Sequence, residues 1–379
     1  MLKGHDVRVI DFEINWHKNK YELFSKRQVF ENVTRVYNNA QITLIRPGII
    51  KIPILDYISV LFSHKREIER QMKEWSPDII VGVAILNSWW GARESKKADI
   101  PFIYYWFELM HCLIPIRIMR SLGRFIEIST LKNTYEVLTT TDSLKKAVIN
   151  MGASENHTQV LRMGVDLDLY NLNRNGDSIR EQYGIKKEDT VLFFMGFIYH
   201  FSGLKEVCLQ LSKLTNPNIK LLIVGNGDAY DDILRIRDKY HLINKVILTG
   251  QKPFKEIPEH LAAADICILP AYDNGIMRDI VPGKVYEYMA AGKPVISTSL
   301  PGMINEFGID NGIVYVNHPD DVVAKAIELT SNDGMCKNLG SKARKDMEKY
   351  NWDSIADEFE MILLKTIKEK NKEIGRVIT

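Results

Sequence analysis

Short apolar runs alternate with amphipathic stretches along the chain, and they do so in two successive sets, which leaves few architectures open. In the first half the strand-like runs are Val7 to Ile10, Ile42 to Ile45, Asp78 to Val83, Pro101 to Tyr105, Val137 to Thr140 and Gln159 to Leu161. Helical spacing fills the gaps at Pro53 to Glu74, Ser88 to Ala98, Arg117 to Thr134 and Ser143 to Met151, with Asp142-Ser143 as an N-terminal cap before Leu144. Such alternation is the signature of a parallel α/β layer. The pattern then restarts with strands at Val191 to Met195, Lys220 to Val224, Val246 to Leu248, Ile266 to Leu269, Val295 to Ser297 and Ile313 to Tyr315, separated by helices such as Leu204 to Leu214 and Ala229 to Tyr240. At 379 residues the chain exceeds what one core usually holds. The expected organisation is therefore two Rossmann-like, doubly wound domains, residues 1–167 and 168–352, followed by a charged amphipathic helix over 353–379 that crosses back toward the first. The segment Gly164 to Lys187, with Asn171, Asn173, Asn175, Gly176 and Asp177, reads as an interdomain linker with some local helix. Ligand should bind at the carboxyl ends of the strands, in a cleft that the domains face.

The start of the chain departs from this scheme. Leu2-Lys3-Gly4-His5-Asp6-Val7 reads as the end of a helix, a glycine stop and then a second strand, so that a first βα unit of roughly 20 to 25 residues is absent. The other reading is that Val7 to Ile10 is itself the first strand of a natural variant.

The most informative segment for function is Asp279 to Thr298, which sets two carboxylates around a Pro-Gly-Lys turn and ends in a buried strand. Pro282 and Gly283 break the chain ahead of a helix over Lys284 to Ala291, whose free first-turn amides suit an anion. Lys284 adds positive charge there. Glu287 lies one turn further on, suited to accept two hydroxyl hydrogen bonds from a sugar, and Gly292 and Pro294 stop the helix. The segment describes a pocket for a phosphorylated sugar or nucleotide.

Other classes are disfavoured. A net charge of +2, without a basic tract interleaved with aromatics, gives no reason to expect nucleic acid. Cys112, Cys208, Cys267 and Cys336 are far apart and form no CxxC pair, which fits reduced thiols in a cytoplasmic protein. No apolar run approaches the roughly 18 to 20 residues needed to span a bilayer, and the polar first residues do not form a signal peptide. One stretch, Cys112 to Ile126, mixes large apolar residues with Arg117, Arg120 and Arg124 at helical spacing. It reads either as a peripheral membrane contact or as an ordinary amphipathic helix whose arginines are solvated or paired with Glu127 and Glu136.

From Pro77 to about Leu364 the chain resembles the retaining glycosyltransferases of family 4, whose fold is GT-B. The family carries an acidic residue, seven others, then Glu leading into an Ala-rich helix and Gly-x-Pro-Val-Ile; here Asp279 and Glu287 hold the acidic positions. Supporting matches are Thr141-Asp142-Ser143 to Gly152-Ala153, Gly164-Val165-Asp166, Ile223-Val224-Gly225-Asn226-Gly227, Ala264-Asp265-Ile266 to Pro270, Pro301-Gly302 to Glu306, and Gly312 to Pro319. The resemblance implies that the second domain binds a nucleotide-diphosphate sugar and the first the acceptor. Glu287 would take the ribose hydroxyls, and Asp279, one methylene shorter than the family's usual Glu, would stand beside the donor sugar. Gly225 and Gly227 would admit the nucleotide or simply form a strand-to-helix turn, and Gln251 lies where the base is commonly held. The donor sugar is then a co-substrate, no cofactor is implied, and metal dependence is not expected.

The largest departure lies at Gly196-Phe-Ile-Tyr-His-Phe-Ser-Gly203. The family usually places Arg right after the first glycine and Lys just before the second, whereas here Phe197 and Ser202 stand there. A charge-assisted hydrogen bond is worth roughly 1.5 to 3 kcal/mol, so losing both would cost about 3 to 6 kcal/mol if uncompensated. Replacement cations are Lys205, Arg278 and above all Lys284, with Lys205 equally readable as a solvated helix lysine. Ser202 can cap a helix whose amides at Gly203 and Leu204 face the phosphate. In the first domain Glu108 and His111 follow a buried strand, where the family often has a polar or His-bearing loop against the acceptor; His111 is equally readable as a structural residue. Asn87, with Trp89 and Trp90, would shape the acceptor site or simply pack. By resemblance, transfer proceeds by front-face attack in which the leaving diphosphate helps deprotonate the acceptor; Arg117, Arg120 and Arg124 point to a lipid-linked acceptor and to surface glycan or glycolipid assembly at the inner face of the membrane. The departures keep a second class open, a catalytically impaired GT-B scaffold or binding subunit. A GT-B epimerase or phosphorylase fits Tyr-Met-Ala-Ala-Gly-Lys-Pro less well.

Overall fold

The computed structural model describes residues 3–12, 22–33, 41–53, 55–114, 117–332, 334–373 and 375. Contacts divide the chain into two units: unit 1 is Met1–Leu138, Val148–Gln159 and Ile362–Thr379, and unit 2 is Thr139–Ala147 and Val160–Met361. The division is more interleaved than a single boundary at 167, because the chain passes from one unit to the other after Leu138, Ala147, Gln159 and Met361.

Unit 1 carries β1 (Arg8–Ile10), β2 (Gln28–Val33), β3 (Ile42–Arg46), helix α1 (Leu55–Glu74), β4 (Ile80–Gly82), α2 (Ile85–Lys97), β5 (Phe102–Trp106), α3 (Met119–Leu131), β6 (Glu136–Thr139) and β7 (Thr158–Val160), while the residues of α4 (Asp142–Asn150) divide between the units. On α1 the buried positions Asp56, Val60, His64, Glu67, Ile68 and Gln71 recur at three- and four-residue intervals, one face of a helix turned inward. Its buried Glu67 is satisfied by the fork of Arg27, at 2.7 and 2.8 Å. The core gathers Phe102, Tyr104 and Trp106 of β5 against Ala92 of α2 and Leu131 of α3.

The strands of unit 1 form two ladders, β1-β3-β2 and β4-β5-β6-β7. In unit 2 a single ladder runs from end to end; in unit 1 no strand of the described residues pairs with both β1 and β4. Gly4 has a positive φ of 91°, while Leu2, in the expected helix end, lies outside the described residues, as do residues 115 and 116 of the Cys112 to Ile126 stretch. β2 was not expected. It pairs antiparallel to β3, is exposed at five of its six residues and is interrupted by a register shift with Asn32 at φ 57°. An edge strand so exposed has no buried face to impose alternation on its sequence.

Unit 2 contains α5 (Asp177–Gln182), β8 (Thr190–Met195), α6 (Leu204–Lys213), β9 (Ile219–Val224), α7 (Tyr230–Lys239), β10 (Val246–Leu248), α8 (Ile257–Ala262), β11 (Ile266–Leu269), α9 (Gly283–Ala290), β12 (Val295–Thr298), α10 (Pro301–Phe307), β13 (Ile313–Val316), α11 (Val322–Thr330) and α12 (Met335–Met347). Helix α13 (Trp352–Glu373) begins here, and from Ile362 it belongs to unit 1, where Tyr135 donates to Glu373 at 3.0 Å. The ladder order is β10-β9-β8-β11-β12-β13 with every pair parallel, so the order reverses between β8 and β11. That reversal is the switch point at which ligands of such sheets collect. Leu192, Phe194, Leu221, Ile223, Ile266 and Ile268 pack beneath Leu204, Val207 and Leu211 of α6.

Two local expectations need correction. The cap of α4 is Thr141, whose Oγ1 accepts from the Leu144 amide at 3.1 Å, one residue before the expected pair. The segment over Gly164 to Lys187 is not a linker but a packed part of unit 2. Its polar side chains close turns rather than loosen the chain: Asp166 accepts from the amides of Asp168 and Leu169, Asn171 from Asn173, and Asn175 from Asp177. Gly176 lies so close to Ala263 that a Cβ would stand 2.2 Å from its nitrogen.

Candidate functional site

Pro282, in extended backbone, turns the chain into α9 and leaves Gly283 and Lys284 as the first helical residues. The Gly283 position faces the Met163 methyl, 3.0 Å from where a Cβ would stand. Lys284 is half-buried, and its ammonium packs between two elements: it lies 4.1 Å from the centroid of the Phe194 ring on β8 and 3.0 Å from where a Cβ on Gly196 would be. Gly196 has φ 111°, a conformation that disfavours any side chain there. Among the described residues no carboxylate closes on Lys284 within ion-pair distance. Burial therefore pushes its pKa down to about 8, against a weaker upward pull from Glu287. The arrangement places a positive charge at the end of β8, at the switch point of the sheet.

One turn further along α9, the Glu287 carboxylate accepts the Tyr170 hydroxyl on Oε1 at 2.8 Å. Burial pushes the carboxyl upward, while Tyr170 and Lys284 pull it back. Asp279 precedes the helix in a turn held by its backbone: the Thr141 hydroxyl donates to its carbonyl at 3.2 Å, and the Gly302 amide to the Arg278 carbonyl at 2.8 Å. Its carboxylate has no side-chain partner among the described residues.

The remaining residues expected around the donor separate into two groups. Gly203 opens α6 in the left-handed region at φ 70°, and a Cβ there would stand 1.8 Å from the Pro270 carbonyl oxygen. Gly196, Gly203 and Lys284 are thus gathered at the ends of β8 and β11. Ser202 is buried, but α6 has no side-chain cap, so the expected cap is not formed; the Gly203 turn starts the helix instead. Gly225 and Gly227 are explained by packing: Cβ atoms there would stand 1.9 Å from the Gly196 oxygen and 2.4 Å from the Ile198 nitrogen, so two loops meet backbone to backbone. Gln251 is exposed after Gly250. Of the substitute cations, Lys205 is exposed on α6 and Arg278 is exposed and paired with Asp273 at 2.9 Å, which leaves Lys284 as the one packed near Gly196. Phe197, in the family's arginine position, is 46% exposed and begins an aromatic run through Tyr199 to Phe201.

In unit 1, His111 donates or accepts through Nδ1 to the fully buried Glu127 of α3, which orients the ring and leaves Nε2 as its open nitrogen. Burial pushes the Glu127 carboxyl up, and His111 opposes it. Burial also raises the carboxyl of half-buried Glu108. Asn87 lies beside the buried His64 of α1, whose pKa burial pushes down. Trp89 and Trp90 pack at 4.6 Å under the cations of Arg93 and Lys65. Of the two fates expected for arginines on an ordinary amphipathic helix, solvated or paired with Glu127 and Glu136, the pairing is not formed among the described residues: Glu136 accepts from Gln159, and Arg120 donates to the Ile114 carbonyl. Arg117 and Arg124 are exposed beside Ile118, Leu122 and Phe125, at 82%, 48% and 67% exposure.

Among the described residues no cluster of three or more His, Cys, Asp or Glu could hold a metal, and no helix is long and apolar enough to cross a membrane. Asp166-Leu167-Asp168 has the spacing of a metal-binding pair, yet Asp166 spends an oxygen on the turn amides described above. Sequence reasoning missed Tyr170 and Phe194, and it named Thr141 and Glu127 without finding that they cap α4 and hold His111. Tyr170 follows the Gly164-Val165-Asp166 motif by four residues, but nothing in that spacing shows that its hydroxyl reaches α9.

Residues 3–169 match the family model described as Glycosyltransferase Family 4, and residues 175–346 that described as Glycosyl transferases group 1. The chain is 28% identical over 230 residues to the putative teichuronic acid biosynthesis glycosyltransferase TuaH of Bacillus subtilis, covering 57% of this chain and 53% of that protein. It spans about half the length of the curated relatives it matches. Among solved structures, sucrose-phosphate synthase of Thermosynechococcus elongatus superposes with a TM-score of 0.72 at 18% identity, covering 89% of this chain and 86% of the other. HepE of Anabaena in complex with UDP superposes with a TM-score of 0.68 at 15% identity, covering 86% of each chain. The chain has the GT-B fold, two Rossmann-like α/β units, and is related to the glycosyltransferases that these two family models describe.

Proposed function

We propose that the protein transfers a sugar, of the hexosyl type, from a nucleotide-diphosphate sugar to an acceptor hydroxyl with retention of anomeric configuration. The observation that carries this reading is the half-buried, unpaired Lys284 ammonium on the first turn of α9, with Glu287 one turn beyond. The diphosphate takes Lys284 and the free amides at the start of α9, and Glu287 accepts the ribose hydroxyls. Asp279 accepts from hydroxyls of the donor sugar. A nucleotide sugar as co-substrate is also supported by HepE, solved with UDP, with UDP and glucose, and with UDP-glucose. The protein stabilises negative charge on the leaving diphosphate, and that diphosphate accepts the proton of the attacking hydroxyl. His111, oriented by Glu127, presents Nε2 on the acceptor side together with Glu108 and Asn87.

Surface glycan or glycolipid assembly is the proposed setting, in keeping with the name of the TuaH relative. Arg117 and Arg124, flanking exposed Ile118, Leu122 and Phe125, suit an anionic leaflet, which would place the protein at the inner face of the membrane.

The test is thermal unfolding of wild type and Glu287→Ala with a panel of nucleoside diphosphates. Ligand at about 100 times its dissociation constant stabilises by roughly 2.7 kcal/mol. A shift for one base in wild type, lost with Glu287→Ala, together with loss of sugar transfer, is expected. A second reading, an impaired scaffold, is favoured by Phe197 and Ser202 in the usual cation positions and by the outward pairing of Arg278. It predicts no shift with any nucleotide.

A further inference from the structure

Resting on the reading of Glu287 as the ribose acceptor, we propose that Tyr170 is a positioning residue of that site, its hydroxyl holding Oε1 of Glu287 so that Oε2 is the oxygen presented to the ribose. A glutamate side chain has three rotatable bonds, and an unheld carboxylate divides its time among several orientations. Here one oxygen is fixed by a hydroxyl at 2.8 Å on a ring that is itself 2% exposed.

The backbone of Tyr170 is tied to the same helix that bears Glu287. Arg344 of α12 donates through Nη1 to the carbonyls of Tyr170, at 3.1 Å, and of Ala290 at the end of α9. Its Nη2 reaches the Leu167 carbonyl at 3.1 Å. A separate contact repeats the link: Gly292, just past α9, has φ 65° and lies against Leu172, whose methyl would stand 2.6 Å from a Cβ. Tyr170 and α9 are therefore fixed relative to one another on both sides, and the hydroxyl has little freedom to swing away from the carboxylate. The same hydroxyl opposes the upward push of burial on the Glu287 carboxyl and helps keep it an acceptor. A tyrosine kept for packing alone could be phenylalanine with no loss at the ribose.

The experiment compares wild type, Tyr170→Phe and Glu287→Gln by calorimetric titration. The probes are whichever of UDP, GDP and ADP binds wild type best, with its 2′-deoxy and 3′-deoxy forms; unliganded unfolding is recorded in parallel. Wild type should prefer the ribonucleotide. Tyr170→Phe should bind it about tenfold more weakly, the size of one hydrogen bond to a charged group, while the deoxy forms change little and the preference narrows. Glu287→Gln should abolish the preference. If Tyr170→Phe keeps the full ribose preference, or weakens all three probes equally, Tyr170 is structural and the proposal falls while the site stands. If Glu287→Gln keeps the preference, or wild type binds none of the three, the ribose assignment falls and takes the proposal with it.

Discussion

Replacing Lys284 by methionine should make the unliganded protein more stable and the nucleotide-binding protein weaker. Methionine keeps the length and apolar contacts of the lysine stem against Phe194 and removes only the ammonium. That ammonium is disfavoured by burial, which lowers its pKa from 10.5 to about 8. A difference of about 2.5 units corresponds to roughly 3 kcal/mol, and screening through the exposed part of the residue reduces this to about 2 to 3 kcal/mol at pH 7. For a unit of this size that is a rise in unfolding temperature of roughly 5 to 10 °C. The sign follows from proton counting: between pH 8 and 10.5 the unfolded chain binds more protons at this group than the folded one, so wild-type stability rises with pH through that window. The gap between Lys284→Met and wild type should therefore be full below pH 8 and close by about pH 10.5. With a nucleoside diphosphate the gap narrows, because the lost charge-assisted hydrogen bond of about 1.5 to 3 kcal/mol weakens binding by roughly one to two decades. The assay is thermal or urea unfolding across pH 7 to 10.5, with and without nucleotide. A variant no more stable than wild type at pH 7, or one that binds nucleotide equally well, would refute the reasoning.

Gly203→Ala places a methyl 1.8 Å from the Pro270 carbonyl oxygen at φ 70°, so it should destabilise unit 2 by about 3 kcal/mol or more; urea unfolding within 1 kcal/mol of wild type would mean that the α6 entry is not as described. Leu122→Glu with Phe125→Glu should lower binding to phosphatidylglycerol vesicles at least about tenfold, from the lost burial of two large apolar side chains. Unchanged sedimentation with vesicles would remove the membrane role of α3.

Most of the framework was readable because it is governed by period. Strands buried on both faces, such as Val191 to Met195, and helices with one buried stripe announce themselves by hydrophobic spacing, and the two sets of alternating elements emerged with ends correct to a few residues. The α9 entry was also readable, because Pro282 and Gly283 act through local backbone geometry that depends on no distant partner. β2 was not, since an exposed edge strand carries no burial pattern. The Asn-rich stretch after Gly164 has a turn composition that looks the same whether the turns are free or packed, and only contact with Ala263 and α9 distinguishes them.

By itself the sequence determined which elements form, that there are two α/β units, and that Asp279, Lys284 and Glu287 share one turn-and-helix segment, because each of these rests on residues near one another in the chain. The tertiary structure alone decided which cation packs beside Gly196, that Gly225 and Gly227 serve loop packing, that Ser202 does not cap α6, and that Tyr170 holds Glu287 across 117 positions of chain. Each of these depends on the distance between side chains far apart in sequence, and such distances are set by how sheets and helices pack rather than by any local pattern.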